Sequence, residues 1–281
     1  MKNVALLVNP TPEGANKAQP MADRIISSLK RKGIPFGLFN SQWPAELKNF
    51  TEVWIVGGDG TLNYFLNHYT DNTLPLVIFP GGSGNDFHWA LYGDIQVEDQ
   101  VEKVLQGRVQ LIDAGTCNGL WFINGVGIGF DGAIIHDMIG KSKIVGKASY
   151  LLAVLKNIVS YTERSSVIVM DSAITSQECM MISVANGVRY GGGFYVTPKA
   201  SLTDGLLDIN IVGRIPPLRR IKYMPLLEKG EHLGLPFVQY YTSKKVSVTS
   251  SHTLHAHLDG EYLANTTFDI ELVPSKVAFF V

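Results

Sequence analysis

Short apolar runs alternate with helical spacings along the first 112 residues. "NVALLVN" holds five apolar positions between asparagines, the length of a buried strand. Residues 15–32 carry a helical pattern that stops at Gly33. "PFGLFN", "EVWIVG", "PLVIFPG" and "VQLIDAG" read as further strands, and helical spacings at 61–69 and 97–106 separate them. Continuous apolar strands alternating with helices predict a doubly wound parallel sheet covered on both faces. Such sheets bind ligands beyond the carboxyl ends of their strands.

The rhythm changes near residue 120. "LWFINGVGIGF", "SVIVMD", "ECMMISVANG", "GLLDINIVG", "KKVSVTSS", "LHAHLDGEY", "TFDIELV" and "KVAFFV" are short strands separated by turns. Only 144–163 and 217–230 are spaced as helices. This predicts an antiparallel, β-sandwich-like second domain. The expected fold class is α/β in two domains, residues 1–117 and 118–273, joined near Thr116–Leu120.

Composition narrows the partners. The formal net charge over 281 residues is −1, so no global basic field draws the chain to nucleic acid. Cys117 and Cys179 are too few and too far apart for a disulfide scaffold or zinc ribbon, which suits reduced thiols in a cytoplasm. The apolar run at the N-terminus is too short for a signal segment. No apolar stretch reaches the roughly 18 residues of a membrane span. The longest, 144–161, is interrupted by Gly146, Lys147 and Lys156. It reads as a core helix, a wall for lipid tails, or an interfacial face. Contact with lipid is therefore expected to be peripheral. Arg214, Arg219, Arg220 and Lys222 in "GRIPPLRRIKY" form either a solvated loop or a contact for anionic headgroups.

Candidate chemistry begins at "VGGDGT" (56–61), where a buried strand runs into glycines, one carboxylate and a helix. Glycines admit a phosphate close to the backbone, and a helix N-terminus offers free N–H groups. Thr61 is the expected N-cap. Asp59 would repel a bare phosphate, so it implies a bridging divalent cation or a proton to move. A tight βα turn with Asp59 as a solvated cap also accounts for this loop taken alone. The next strand repeats the design, with Gly81, Gly82 and Gly84 followed by Asn85 and Asp86. "VQLIDAG" brings Asp113. Three carboxylates, Asp59, Asp86 and Asp113, are expected at one sheet edge, where like charges need a cation or hydrogen bonds. Neither loop has the P-loop or G-x-G-x-x-G spacing.

"GGDGT" followed by "PGGSGNDF" resembles the diacylglycerol kinase catalytic-domain family, the soluble bacterial lipid kinases and their sphingosine and ceramide kinase relatives. "NP" at Asn9–Pro10, "NGVGIGFDGAI" (124–134), "VANGVRYGGGFYVTPKASLTDGLLDI" (184–209) and "LDGE" (258–261) match the family's other motifs in order. The resemblance implies a nucleotide-binding α/β domain, a β-sandwich-like lipid-substrate domain and an active site between them, with residues 274–281 able to return to the first domain. It implies ATP held by Asn9, Pro10, Lys17, Gly57, Gly58, Gly60, Thr61, Gly81, Gly82, Ser83 and Asn85. It implies Mg²⁺ held by Asp59, Asp86 and Asp113, and a second, structural Mg²⁺ at Asp204. Two features depart from the family pattern. His88 and Trp89 stand where an arginine usually follows "GNDF", and "SQWPAELKNF" has room for about two turns where relatives place a full helix.

Phosphoryl transfer needs an in-line acceptor, neutralised charge and a proton acceptor. Period-2 alternation puts residues 255, 257, 259 and 261 on one strand face. Glu261 is the expected base, with Asp59 second and Asp259 beside it, while "DG" at 259–260 also favours a hairpin turn. A zinc pair of His255 and His257 is the lesser reading of that face. The expected reaction is transfer of the γ-phosphoryl group of ATP to a lipid alcohol at a membrane surface, with diacylglycerol the leading acceptor. The alternatives are an NAD kinase-like enzyme and a non-catalytic nucleotide- or lipid-binding regulator. A homodimer is compatible with the sequence.

Overall fold

The computed structural model describes residues 2–139 and 146–281. The chain divides into one unit made of Met1–Ala114 and Pro274–Val281, and another made of Gly115–Val273.

In the first unit, β1 (Val4–Val8), β2 (Phe36–Phe39), β3 (Glu52–Gly57) and β4 (Leu76–Pro80) pair in parallel in the order β2-β1-β3-β4. All of β1 and β3 is buried, as continuous apolar runs require when helices cover both faces. The helices are α1 (Pro12–Arg31), α2 (Asp59–His68), α3 (Asp86–Tyr92) and α4 (Val97–Leu105). Helix α1 starts three residues before the expected 15, because the Thr11 side chain caps it by accepting from Gly14 N–H.

β5 (Val109–Cys117) does not lie beside β4. That place goes to the end of the last strand, β13 (Glu261–Phe280), where Phe279 is in parallel register with Leu76. β5 pairs with β13 instead. The return is tightly packed. Phe279 is fully buried against the Phe87 ring, Tyr92 Oη donates to the Phe280 carbonyl at 2.6 Å, and Val281 N–H donates to Arg108 O.

In the second unit the expected run "LWFINGVGIGF" divides into β6 (Leu120–Phe122) and β7 (Gly125–Gly129). The other strands are β8 (Arg164–Met170), β9 (Ile174–Ala185), β10 (Leu207–Gly213), β11 (Val238–Ser243) and β12 (Lys245–Leu258). Pairing is antiparallel in β11-β10-β9-β7-β12-β13. β8 also joins β9 to β12. Two expected pairs of strands are single long ones. β12 runs through an irregularity between Thr249 and Leu254, and β13 covers both "TFDIELV" and "KVAFFV". The sandwich core includes Phe122, Val126, Ile182, Ile209, Val248, Ala256 and Phe268. Helices α5 (Phe130–Met138), α6 (Gly146–Ser160) and α7 (Pro217–Glu228) build a smaller cluster against β9 and β10. Positions 144–145 of the expected helix lie outside the described residues.

Candidate active site

The first unit ends β3 and β4 in two glycine loops that touch. A Cβ on Gly58 would lie 2.9 Å from Gly82 Cα, and one on Gly82 would lie 2.5 Å from Gly58 Cα. No side chain fits between these loops, so glycine is required for their approach. Gly81 N–H donates to Gly57 O at 2.9 Å, and Asn85 closes its own loop by accepting from Gly82 N–H at 2.8 Å. Asn85 takes the left-handed conformation, φ +56°, which asparagine tolerates better than most residues.

Asn9 ties this assembly to β1. Its Nδ2 donates to Thr61 Oγ1 at 2.7 Å, and its Oδ1 accepts from Thr11. Thr61 is thus not the expected cap. Gly58 occupies the N-cap of α2, and Thr61 is buried inside the first turn beneath Gly57. Gly60 sits in that same turn, and Pro10 is half-buried in the loop after β1. Lys17 and Ser83 are exposed, with Nζ and Oγ 3.5 Å apart.

Asp59 has a definite partner. Its carboxylate accepts from the backbone N–H groups of Asp86 (3.1 Å) and Phe87 (2.9 Å). Those are orphan donors of the first turn of α3, whose own N-cap residue makes no side-chain cap bond. Asp59 therefore caps a helix that begins in the other glycine loop, and the loops are latched by charge-assisted hydrogen bonds. Asp86 is buried directly beside it. Asp113 is also buried, and its Oδ1 accepts from Ser275 N–H at 2.6 Å, so it secures the returning end of β13. The expected triad is not gathered into a cage. Among the described residues, no three or more His, Cys, Asp or Glu side chains converge as metal ligands. The pair Asp59 and Asp86 fits a cation bridged to phosphate better than a closed cage. Open glycine backbone adjoins the two carboxylates, and divalent Mg²⁺ keeps several waters.

The second unit holds the other acidic candidates. The chain reverses at Asp259 and Gly260, whose φ values of +48° and +90° make a two-residue hairpin turn. The expected single-face row of 255, 257, 259 and 261 is therefore not formed. Glu261 opens β13 opposite Leu258, and His257 pairs with Tyr262. Cross-strand partners share a face, so Glu261 and His257 project to opposite sides. Glu261 is exposed. Asp259 is buried, and its carboxylate accepts from the N–H groups of Ile123, Asn124 and Gly125 at 2.9–3.0 Å. It holds the turn that joins β6 to β7.

Asp204 is exposed in a turn, where its Oδ1 accepts from Leu206 N–H. Sequence reasoning missed its neighbour. Asp208 is buried on β10, Tyr240 Oη donates to its Oδ1 at 2.7 Å, and its Oδ2 has no hydrogen-bond partner. Burial raises the Asp208 pKa to about 6, with the Tyr240 hydrogen bond opposing and Asp204 adding to the rise. An orphaned buried oxygen beside a second carboxylate is what a cation would satisfy. The sequence signal for it was the second aspartate of the quoted 184–209 motif, four residues after Asp204.

His255 and His257 share no ligand. His255 Nδ1 meets Tyr262 Oη at 2.7 Å, whereas His257 is buried against Tyr190. Both cysteines are buried thiols, with pKa pushed up to about 12 by burial.

Residues 3–117 match the diacylglycerol kinase catalytic domain, and residues 124–281 match the YegS C-terminal NAD kinase beta sandwich-like domain. The chain is 31% identical over 224 residues to the diacylglycerol kinase of Bacillus subtilis (strain 168), covering 78% of this chain and 73% of that one. This chain belongs to the diacylglycerol kinase catalytic-domain family. The enzyme class follows: a lipid kinase. The crystal structure of a diacylglycerol kinase from Bacillus anthracis str. Sterne shares the fold, with a TM-score of 0.73 at 20% identity over 99% of this chain and 96% of that one.

The two departures from the family pattern are built into the packing of the first unit. His88 is buried, its Nε2 meets Gln100 Oε1 at 3.1 Å, and Gln100 Nε2 donates to Ile78 O. Burial lowers its pKa, so the imidazole is neutral and supplies no arginine-like charge. The segment 40–51 forms no helix. Trp43 anchors it instead, donating from Nε1 to Val8 O at 2.8 Å.

Proposed function

We propose that this lipid kinase transfers the γ-phosphoryl group of ATP to the hydroxyl of a lipid alcohol, with diacylglycerol the leading acceptor. The supporting observation is the latch between the glycine loops, in which Asp59 fixes the start of α3. The backbone at Gly57–Gly60 and Gly81–Asn85, with Asn9, Pro10 and Lys17, would receive the phosphates. Asp59 and Asp86 would hold Mg²⁺, which neutralises phosphate charge when bound. Asp204 and Asp208 would hold a second, structural ion. Glu261 is exposed and free of a backbone cradle, so it is the better base. Asp259 acts by positioning the 123–125 turn. The protein would work from the cytoplasm on lipid presented at a membrane surface. Among the described residues, no helix is long and apolar enough to cross a membrane.

Incubation with ATP, Mg²⁺ and a panel of lipid vesicles, with NAD as a competing acceptor, tests the reading. Diacylglycerol phosphorylation is the expected result. Phosphorylation of NAD alone overturns the lipid acceptor, and ATP binding without turnover on any acceptor overturns the kinase assignment. Glu261→Gln should retain nucleotide affinity and lose about 10²–10⁴ in single-turnover rate, the contribution of a general base. A rate within a few-fold of wild type removes Glu261 from that role.

A further inference from the structure

Helix α7 carries basic charge at the wrong end for its own stability. Its first two turns hold Arg219, Arg220 and Lys222, the first turn has no acidic residue, and no side chain caps it. Positive side chains at a helix N-terminus oppose the helix dipole. Arg220 is accounted for. It is buried, its guanidinium donates to the carbonyls of Ile215, Ile158 and Tyr161, and it pairs with Glu163 at 2.8 Å. Arg219 and Lys222 are exposed, as is Arg214 just before the helix, where it meets the exposed Glu178 at 3.1 Å.

Large apolar side chains are interleaved with these charges. Leu218 is 83% exposed and Ile221 is 51% exposed, and their i, i+3 spacing puts them on one side of α7. The opposite side of α7 is already satisfied. Tyr223, Met224 and Leu227 pack in the cluster that contains Ala153, Val154 and Ile158 of α6. Helix α6 also keeps an apolar stripe in water, with Leu152, Leu155 and Val159 all exposed at i, i+3 and i+7. Arg220 bonds the C-terminal carbonyls of α6 to α7, so the two helices present these side chains from one fixed pair.

We propose that the outer side of α7, with the exposed stripe of α6, docks the protein on an anionic phospholipid bilayer. The occupant is chosen by complementarity. Leucine and isoleucine fit the acyl boundary, and basic side chains beside them meet phosphates at the headgroup level. An acidic soluble partner would take the arginines and leave Leu218 without a matching environment. The choice of a bilayer rests on the lipid-kinase reading, since the substrate of such an enzyme resides there.

The test is sedimentation of the full chain with vesicles that contain no substrate. The compositions are neutral phosphatidylcholine alone, and the same lipid with about one third phosphatidylglycerol. Wild type should favour the anionic vesicles and release with salt. Three lost charges should weaken anionic binding on the order of 10²-fold, so the Arg214→Gln, Arg219→Gln, Lys222→Gln variant should bind both vesicle types alike. Leu218→Ser with Ile221→Ser should weaken binding to both while keeping the salt response. These sites are exposed, and unchanged melting would show intact folding. Variants within two-fold of wild type on anionic vesicles overturn the proposal, as does wild type that ignores vesicle charge. Vesicle-free dimerisation abolished by the same substitutions also overturns it, by assigning the face to a second copy. Phosphorylation of a short-chain, monomeric diacylglycerol should be unaffected by these substitutions. If that activity is absent in every protein while the vesicle results hold, the kinase reading fails and the docking face stands.

Discussion

Asp59 and Asp259 have the same chemistry in sequence and opposite settings in space. Both follow a strand and adjoin glycine, and both carboxylates accept backbone N–H groups. Asp59 is half-exposed, with two donors from a helix start. Asp259 is buried, with three donors from one turn. A partly open carboxylate can exchange its hydrogen bonds for a cation as a ligand arrives. A buried one surrounded by backbone cannot do so without unpairing those donors. Position within a motif therefore does not tell a partly open acid from a buried, fully cradled one, and the donors around it do.

The largest stability loss should follow Asp259→Ala. Three buried N–H groups would lose their acceptor, at about 1–3 kcal/mol each before relaxation. Urea unfolding should show a loss of several kcal/mol. Full stability with turnover abolished would instead make Asp259 a reacting group and erase the distinction from Asp59.

A second experiment sharpens the contrast with a half-buried acid that lacks a backbone cradle. Tyr190 Oη donates to Asp131 Oδ2 at 2.6 Å, and burial lifts the Asp131 pKa to about 6. His257 is buried nearby, since a Cβ on Gly127 would touch both His257 Nε2 and Asp131 Oδ2, and burial lowers its pKa to about 4. Between pH 4 and 6 the folded state keeps a proton on Asp131 that the unfolded chain has released, so this group makes stability fall as pH rises. Over the same range the unfolded chain protonates His257 and the folded state does not, so that group makes stability rise with pH. The two slopes oppose each other in wild type. Asp131→Asn should expose a rise with pH and His257→Gln a fall, each on the order of 2–3 kcal/mol across the window. Parallel pH profiles in both variants would contradict these settings.

The smallest stability effect should come from Asp59→Ala. Loss of a helix cap costs about 1–2 kcal/mol, so the protein should stay folded by circular dichroism while phosphoryl transfer disappears. A loss as large as that at Asp259 would show that the latch holds the fold as well as the ligand loops.

Much of this was legible in the chain. The near-continuous apolar runs of β1, β3 and β4 announced a covered parallel sheet, because burial on both faces leaves little room for polar alternation. Asp259–Gly260 announced its hairpin, because few other pairs accept two positive φ values. Other features depend on partners remote in sequence. Nothing local in "GGDGT" shows that Asp59 caps a helix beginning 27 positions later. β11 was missed because "VQYYTS" has four half-buried residues, then an exposed and a buried one, with no clean period. The strand beside β4 is not set by local pattern either, because Phe279 arrives from the far end of the chain to fill that place. Asp208 was missed because burial, invisible in sequence, is what makes its second oxygen conspicuous.

β13 carries a consequence for biosynthesis. It begins in the second unit and ends in the first, so residues 274–281 leave the ribosome after all of residues 115–273. Until then the first unit has an open β4 edge and no Phe279 against Phe87. An unpaired edge beside exposed aromatic rings invites pairing with another chain. The first unit made is thus the last to close, and its nascent form must wait, unsealed, while the whole sandwich is translated.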